Sequence, residues 1–204
     1  MFEYCRFRTA PLALMESPEQ TQQQFTNRAA ANDGHLFGIW RSLNLGLPRD
    51  EGIALTAWRN EAAARAAPAV DGGESTILQA TLRPTTDEPP SYPGVYVFRW
   101  FDLASADVGS FLELSAKAWP NMESVFDVNV CGFWRSLDVD EPGARGLLLT
   151  RYADLSVWEA SRWWSNKSAD AKVSMTSFKR RSDVVTSTVA YAMMPFPPAT
   201  DGIS

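Results

Sequence analysis

The chain has 204 residues, of which 45% are hydrophobic and 21% charged, and its formal net charge is −5. This composition is ordinary for a globular protein, and the negative charge argues against a nucleic-acid-binding face, which needs clustered positive charge. No apolar run approaches the roughly 20 residues that span a bilayer, and the first residues carry charge instead of an apolar signal core. We therefore expect a cytoplasmic protein that contacts neither nucleic acid nor a membrane.

The chain opens with a predicted strand and a predicted helix. Aromatic and apolar residues alternate with charged ones over 2–8, which is typical of a strand. Ser17 is the expected N-cap of the helix, with Pro18 at its first position and Gln20 closing a capping box. The helix is polar, and only Phe25 and the alanines offer it a buried side.

A hairpin, a helix and a strand complete the first half. The loop between 35–43 and 52–58 is rich in Gly, Pro and Asp, which favours a turn between two paired strands. Asn60 is placed to cap the following helix, and 75–82 forms the last strand. Residues 84–94 are rich in proline and polar residues, as expected of a linker.

The second half begins with a strand at 95–101 and a helix for which Ser105 is the expected cap. Apolar and small residues recur there at helical spacing, and we expect the helix to end near Pro120. The residues of this stripe are Phe111, Leu114, Ser115 and Ala118.

The same order of elements then repeats. Strands are expected at 129–137 and 146–152, Asp154 is placed to cap a helix, and 182–194 forms the last strand. Segment 163–181 has no counterpart in the first half, and we expect an extra helix over one mouth of the barrel described below. Access to that side would be shaped by Trp163, Trp164 and Phe178.

One six-residue string is written almost twice, as GIWRSL at 38–43 and GFWRSL at 132–137. The same offset of 94 aligns GIALTAW at 52–58 with GLLLTRY at 146–152. The opening strands align best by residue type at an offset of 93, which sets Arg6 against Arg99. The chain is thus an internal duplication with the order βαββαβ in each half, as in ferredoxin-like domains.

This order predicts an α+β fold of two ferredoxin-like repeats. In each repeat, helices cover one face of the antiparallel sheet and leave the other, apolar face exposed. The simplest way to bury that face is to pack it against the equivalent face of the other repeat. We therefore expect a pseudo-dimeric α+β barrel, with repeats at 1–83 and 95–204 joined by the linker at 84–94. Because the duplication supplies the partner sheet, a monomer is compatible with the sequence, and edge strands at the barrel seams leave a homodimer open.

The sequence resembles the NIPSNAP family of dimeric α+β barrel proteins. The matching residues are Tyr4-Cys5-Arg6, Tyr96 to Arg99, and TRYADLSVWEASR at 150–162, with a weaker match at 56–67. The resemblance implies a barrel that holds a small or planar molecule. Proteins of related fold include cofactor-free monooxygenases, cyclases, isomerases and haem enzymes, so the resemblance implies no particular substrate.

Arginines in the two opening strands are the first candidate site residues. Alternation places Tyr4, a candidate substrate-binding residue, and Arg6 on one face of their strand and Arg99 on one face of the equivalent strand. An inward-facing arginine needs an acidic partner or an anionic ligand, because a buried unpaired charge is costly. Arg6 and Arg99 are therefore either an anion clamp for a substrate or members of salt bridges.

His35 is the single histidine, and the other half has Asn129 at the corresponding place. A histidine there could act as a general base near neutral pH or as the axial ligand of a haem. It could equally be a surface residue after a turn. His35 and Asn129 are kept as candidate catalytic and substrate-binding residues, respectively.

Aromatic and hydroxyl residues recur at matched positions in both halves and are candidate substrate-binding residues. They face either a cavity or the core under the helices, since both faces of a barrel sheet are buried. The set is Trp40, Trp134, Trp58, Tyr152, Thr56 and Thr150.

Motifs for metals and nucleotides are missing from the sequence, so no metal and no cofactor is expected, with haem as the alternative. Cys5 and Cys131 are not spaced as a metal site and are expected to be free thiols. Three functions stay open: a cofactor-independent enzyme of monooxygenase, cyclase, isomerase or lyase type acting on a hydrophobic or aromatic metabolite, a haem barrel, and a non-catalytic NIPSNAP-type binding or interaction protein.

Overall fold

The computed structural model describes residues 1–8, 17–162 and 169–196, with only the backbone for 169–175. The first half contains β1 (Phe2–Arg8), α1 (Pro18–Ala30), β2 (Gly34–Leu45), β3 (Glu51–Trp58), α2 (Glu61–Ala66) and β4 (Gly73–Arg83). The second half contains β5 (Val95–Ala104), a 3₁₀ turn (Ser105–Asp107), α3 (Val108–Val125), β6 (Val128–Ser136), β7 (Gly143–Tyr152), α4 (Leu155–Arg162), α5 (Ala169–Asp183) and β8 (Val185–Pro195). The order predicted from the sequence is confirmed in both halves.

The eight strands close into one antiparallel barrel in the order β1-β3-β2-β8-β5-β7-β6-β4. Each half contributes four neighbouring strands in the ferredoxin-like order. The halves are joined at two seams, where β2 pairs with β8 and β4 pairs with β6. The seams are therefore hydrogen-bonded between the halves, and the prediction of free edge strands along them was wrong.

Strand register fixes which residues of the two halves are equivalent. Tyr4 lies opposite Leu55 and Phe98 lies opposite Leu149, so β1 and β5 are related by the same offset of 94 as the hairpins. The offset of 93 was wrong by one residue, and a one-residue slip moves a side chain to the other face of the sheet. Arg6 and Arg99 consequently point to opposite faces.

The barrel interior is filled by its own side chains. Every strand contributes to one buried apolar cluster there, and its rings pack edge to face, as between Tyr4 and Trp100, whose centroids are 5.1 Å apart. Such pairs add about 0.5–1.5 kcal/mol each beyond the area that they bury. The aromatic members are Phe2, Tyr4, Phe37, Trp40, Tyr96, Phe98, Trp100 and Trp134. The interior is thus a packed core and leaves any binding site to the outer faces.

The repeated string has a packing reason. The ladder between β2 and β3 shifts register at Leu36/Gly38, and that between β6 and β7 shifts at Val130/Gly132, which is a bulge in each half. At Gly38 and Gly132 a Cβ would overlap the ring of the tryptophan two residues later. Glycine is required because each indole, Trp40 or Trp134, folds back over the strand into the barrel.

The helices cover the outer faces of the sheets. Phe25 and Ala29 of α1 are buried, as predicted, whereas the Ser17 side chain makes no capping hydrogen bond. Helix α3 continues through Pro120 to Val125, against the prediction that it ends there. Its buried Trp119 and Met122, on either side of the proline, supply packing that outweighs the lost backbone hydrogen bond.

Helix α5 occupies the predicted extra segment. It packs on α3 over the outer face of the second-half sheet, so the expected position over a barrel mouth was wrong. Trp163 and Trp164 lie outside the described residues. Within the part of the chain that the structure describes, no helix is long and apolar enough to cross a membrane.

Candidate functional site

A cavity of about 340 Å³ lies between the outer face of the second-half sheet and helices α3, α4 and α5. Strands β5 and β7 form its floor and the three helices form its walls. Its lining residues are Arg99, Trp119, Met122, Leu148, Thr150, Tyr152, Trp158, Ser161, Arg162, Phe178, Arg181 and Ser182. We call it the helix cavity.

Arg99 rises from the floor of the helix cavity. It lies on β5 between Val97 and Phe101, which pack under the helices on the same face. Among the described residues, Arg99 has no carboxylate within ion-pair distance and donates no hydrogen bond. Burial lowers the pKa of its guanidinium, the neighbouring Arg162 lowers it further, and Tyr152 partly opposes the shift.

Arg181 enters the same cavity from α5. Its guanidinium lies over the rings of Phe101, Phe111 and Phe178, at 4.8 Å from the Phe178 centroid, and it donates a 3.2 Å hydrogen bond to the Ser115 hydroxyl. Burial, followed by repulsion from Arg99, lowers its pKa to about 10. Arg181 therefore keeps its charge at neutral pH.

The helix cavity holds positive charge that its own residues do not neutralise. Its described lining contains three arginines and no Asp, Glu, His or Cys. Cation–π contacts offset part of the cost of burying a guanidinium but leave its charge in place. An anion bound between Arg99 and Arg181 would supply the missing charge, and a planar carboxylate or enolate suits the guanidinium fork.

The walls of the helix cavity are aromatic and add further hydrogen-bond donors. The indole Nε1 of Trp119 is buried without a hydrogen-bond partner, and Trp158 forms another wall. Burial raises the pKa of Tyr152, so its hydroxyl stays protonated. A flat, partly apolar ligand would match these rings.

A second opening adjoins the helix cavity on the β8 side. It has a volume of about 400 Å³ and shares Arg99, Arg181 and Ser182 with the helix cavity. Its other lining residues are Phe101, Val185, Thr186, Ser187 and Thr188. We call it the β8 groove. The two guanidiniums thus stand on the border between an aromatic cavity and a groove rich in hydroxyl groups.

The structure brings together three of the residues singled out in the sequence. Arg99, Thr150 and Tyr152 line the helix cavity. Arg6 is on the other face of its sheet and forms an ion pair with Glu51, so its salt-bridge interpretation is correct. His35 is exposed on β2 and contacts the Asp87 carbonyl at 2.7 Å, away from the helix cavity.

The remaining candidates lie elsewhere. Tyr4, Trp40 and Trp134 are part of the packed barrel interior, which corrects their placement in a binding cavity. Thr56 and Trp58 are buried in the first half. Asn129 borders a separate pocket beneath the linker, which also includes Tyr92 and Cys131.

Sequence reasoning missed several lining residues, above all Arg181 and Trp119. Arg181 belongs to the basic cluster Lys179-Arg180-Arg181, and such a short cluster by itself indicates a solvated helix end. One signal was available: Phe178 and Arg181 are three residues apart and so share a helix face. Nothing in the sequence indicates that this face meets β5.

Haem is a cofactor that proteins hold through His, Cys, Met or Tyr. The helix cavity has no His or Cys in its described lining, and His35 does not reach it. Nor do three or more His, Cys, Asp or Glu side chains converge as a metal site anywhere in the described residues. The residues present do not fit a haem held by His35.

No known protein family matches the sequence, and no curated protein matches it. Solved structures do resemble it. An anthrone oxidase-like protein matches with a TM-score of 0.59 at 11% identity, covering 100% of this chain and 94% of that one. A candidate monooxygenase from Lactobacillus acidophilus matches with a TM-score of 0.56 at 12% identity, covering 97% and 95%.

The chain has the dimeric α+β barrel fold. At such low identities the likeness establishes this fold and the predicted α+β class. The closer resemblance to the NIPSNAP family stays a prediction.

Proposed function

We propose that this barrel protein binds a small planar anion, such as an aromatic phenolate, enolate or carboxylate, in the helix cavity. The observation that carries the proposal is the pair of partly buried guanidiniums, Arg99 and Arg181, which have no acidic partner among the described residues. Burying a charge without a counter-charge is costly. An anionic ligand would remove that cost, and the surrounding rings would bury its apolar surface.

We further propose that the protein acts on this ligand as a cofactor-independent oxygenase. Two guanidiniums favour the ionised form of a bound phenol or enol, so they lower the ligand's pKa. The ionised ligand is electron-rich and can transfer electrons to dioxygen without help from a metal. Fixed cations also stabilise the negative charge that moves onto oxygen.

The proposed reaction converts a ring CH₂ group into a carbonyl. The substrate loses one proton to water, and its carbanion adds dioxygen to give a C–O–O⁻ anion. Loss of the second hydrogen from that carbon and cleavage of the O–O bond leave C=O and hydroxide, which takes up the first proton to form water. One dioxygen is consumed for each CH₂, and Arg99 and Arg181 hold the anion throughout.

The test uses 1,8-dihydroxyanthrone as the substrate and an oxygen electrode as the readout. We expect oxygen uptake above the spontaneous rate, with one oxygen atom of the product labelled from ¹⁸O₂. Arg99→Gln should lower the enzymatic rate by about 100-fold, since it removes a charge-assisted contact to the reacting anion. Arg59→Gln, an exposed arginine outside the cavity, should keep the full rate.

A second function is favoured by one observation. The described lining of the helix cavity contains no group that titrates near neutral pH, so no side chain there is an obvious proton acceptor. This supports a protein that binds the anion without converting it. Arg99-dependent binding of the anthrone with no oxygen uptake would establish that alternative, and absence of Arg99-dependent binding would overturn both functions.

A further inference from the structure

The β8 groove differs from the helix cavity in the hydrogen-bonding groups that it offers to a ligand. Four hydroxyl residues line it, of which three line the groove alone and one, Ser182, also lines the helix cavity. They are Ser182, Thr186, Ser187 and Thr188. A hydroxyl group can both donate and accept, so the role open to a ligand depends on where each proton already points.

The two threonines already donate their protons to the neighbouring strand. Thr186 Oγ1 donates to the Asp102 carbonyl at 2.8 Å, and Thr188 Oγ1 donates to the Trp100 carbonyl at 2.8 Å. A carbonyl oxygen can only accept, so the proton of each bond belongs to the threonine. Both hydroxyls therefore offer a ligand lone pairs only.

The two serines behave in the same way. Ser182 Oγ donates to the Phe178 carbonyl at 2.9 Å, and Ser187 Oγ donates to the Asp102 carboxylate. The hydroxyls of Ser182, Thr186 and Thr188 are thus acceptors toward anything bound in the groove, whereas the Ser187 side chain pairs with Asp102 on the other face of the sheet. The helix cavity has the opposite character, because its guanidiniums and the Trp119 indole N–H are donors.

Register places these acceptors beside the cation pair. Ala190 lies opposite Arg99 across β8 and β5, and Thr188 lies opposite Phe101. Residues two apart in a strand share a face, so Thr188 is on the face of Arg99 and one step along the sheet. A ligand whose anionic group contacts Arg99 brings the adjacent atoms to Thr188.

We infer that the ligand of this site is an aromatic anion that carries an uncharged hydroxyl donor next to its anionic group. The inference rests on the proposed binding function and adds the chemistry of the second half of the ligand. An ammonium group is a poor donor here because Arg99 and Arg181 would repel it. A ligand with an alkyl group in that position would lack the hydrogen bond that these hydroxyls can accept.

The test compares two ligands of nearly equal shape by calorimetry. N-(2-naphthoyl)-L-threonine presents an aromatic ring, a carboxylate and a hydroxyl, and N-(2-naphthoyl)-L-valine replaces only the hydroxyl with a methyl group. We expect the threonine compound to bind about fivefold more tightly, the worth of one net hydrogen bond. Thr188→Val, which keeps side-chain volume and suits a strand, should abolish that preference.

The outcomes separate the two proposals. Equal affinity of both compounds for the unaltered protein, with both lost in Arg99→Gln, would overturn the donor inference and leave the anion site intact. Failure of both compounds to bind would overturn the anion site as well. Because the ligand pair is compared on the unaltered protein, the result does not depend on the folding of any variant.

Discussion

The two outer faces of the barrel treat buried charge in opposite ways. In the first half, Glu3 is 2% exposed and accepts hydrogen bonds from Arg28, Trp58 and Ser75. In the second half, Arg99 and Arg181 are partly buried and have no carboxylate partner among the described residues. The carboxylate on the first-half face therefore has hydrogen-bond partners within the protein. The guanidiniums on the second-half face have no negative partner among the described residues, and an anionic ligand would supply one.

The contrast arises at equivalent positions. Register equates Glu3 with Val97, because they lie opposite Thr56 and Thr150, respectively. It likewise equates Cys5 with Arg99. The second half thus has a valine in place of the acid of the first half, and two residues later an arginine in place of a cysteine. A duplicated fold can keep one copy as a scaffold while the other acquires a site.

In the barrel interior, by contrast, the two halves carry the same residues at the positions of the repeated string. There Trp40 and Trp134 occupy matched positions, each over a glycine, because both halves must fill one shared core. The two halves thus keep this glycine–tryptophan pair in the shared core, whereas they differ on the outer faces at Glu3/Val97 and Cys5/Arg99. The predictions below probe this difference between the halves, beginning with the largest effect.

The first prediction concerns the ion pair and hydrogen bonds of Glu3 on the outer face of the first half. Glu3→Gln removes the negative charge beneath α1 and leaves Arg28 buried and unpaired. We expect the free energy of unfolding to fall by about 3–5 kcal/mol, measured by urea denaturation. Affinity of the folded protein for 2-naphthoate should not change. Glu113→Gln, at an exposed helix pair, serves as the control and should have no measurable effect.

The second prediction concerns the unpaired charge of Arg99 on the outer face of the second half. Arg99→Leu should weaken 2-naphthoate binding by about 100-fold, since it removes a buried charge-assisted contact. The same variant without ligand should be more stable than the unaltered protein by about 1–2 kcal/mol, because it no longer buries an unpaired cation. A loss of stability would show that Arg99 has a partner that serves the fold.

The third prediction tests the symmetry of the interior. Gly38→Ala and Gly132→Ala should each destabilise the protein by about 1–3 kcal/mol, because the new methyl group displaces a buried indole. The two values should agree within the error of denaturation curves. Gly109→Ala is the control: nothing lies near its Cβ, and helix propensity should make it neutral or stabilising. Sharply different costs at the two tryptophans would contradict a shared core.

The fourth prediction concerns pH and is the smallest effect. The pKa of Arg181 is lowered to about 10 in the folded protein, so between that pH and the usual arginine range the unfolded chain binds the extra proton. Stability then rises with pH through this group. We expect any stability advantage of Arg181→Leu over the unaltered protein to shrink as pH rises above about 10. A pH-independent difference would count against a buried, charged Arg181.

Much of the fold could be predicted because the repeated string contains residues whose packing allows little substitution. Gly38 and Trp40 are constrained together, so their recurrence at Gly132 and Trp134 revealed both the duplication and the barrel. The opening strands carry no such pair. Their alignment rested on matching Arg6 to Arg99 by residue type, and that match was wrong by one position.

The site was harder to predict. Arg99, Thr150 and Tyr152 were found because they recur near matched positions, but the choice between interior and outer face needs the register. Arg181 and Trp119 come from helices whose contact with β5 is a tertiary fact. His35 drew attention as the single histidine, although rarity alone says nothing about where a side chain points.

The most direct test of the central claim is calorimetric titration of 2-naphthoate and of 2-naphthalenemethanol, its uncharged counterpart, into the unaltered protein and Arg99→Leu. The account predicts that the unaltered protein binds the carboxylate at least about 10-fold more tightly than the alcohol. It predicts that Arg99→Leu abolishes this preference. Equal binding of the two compounds, or a carboxylate preference that survives in Arg99→Leu, would contradict an anion site built on the second-half arginines.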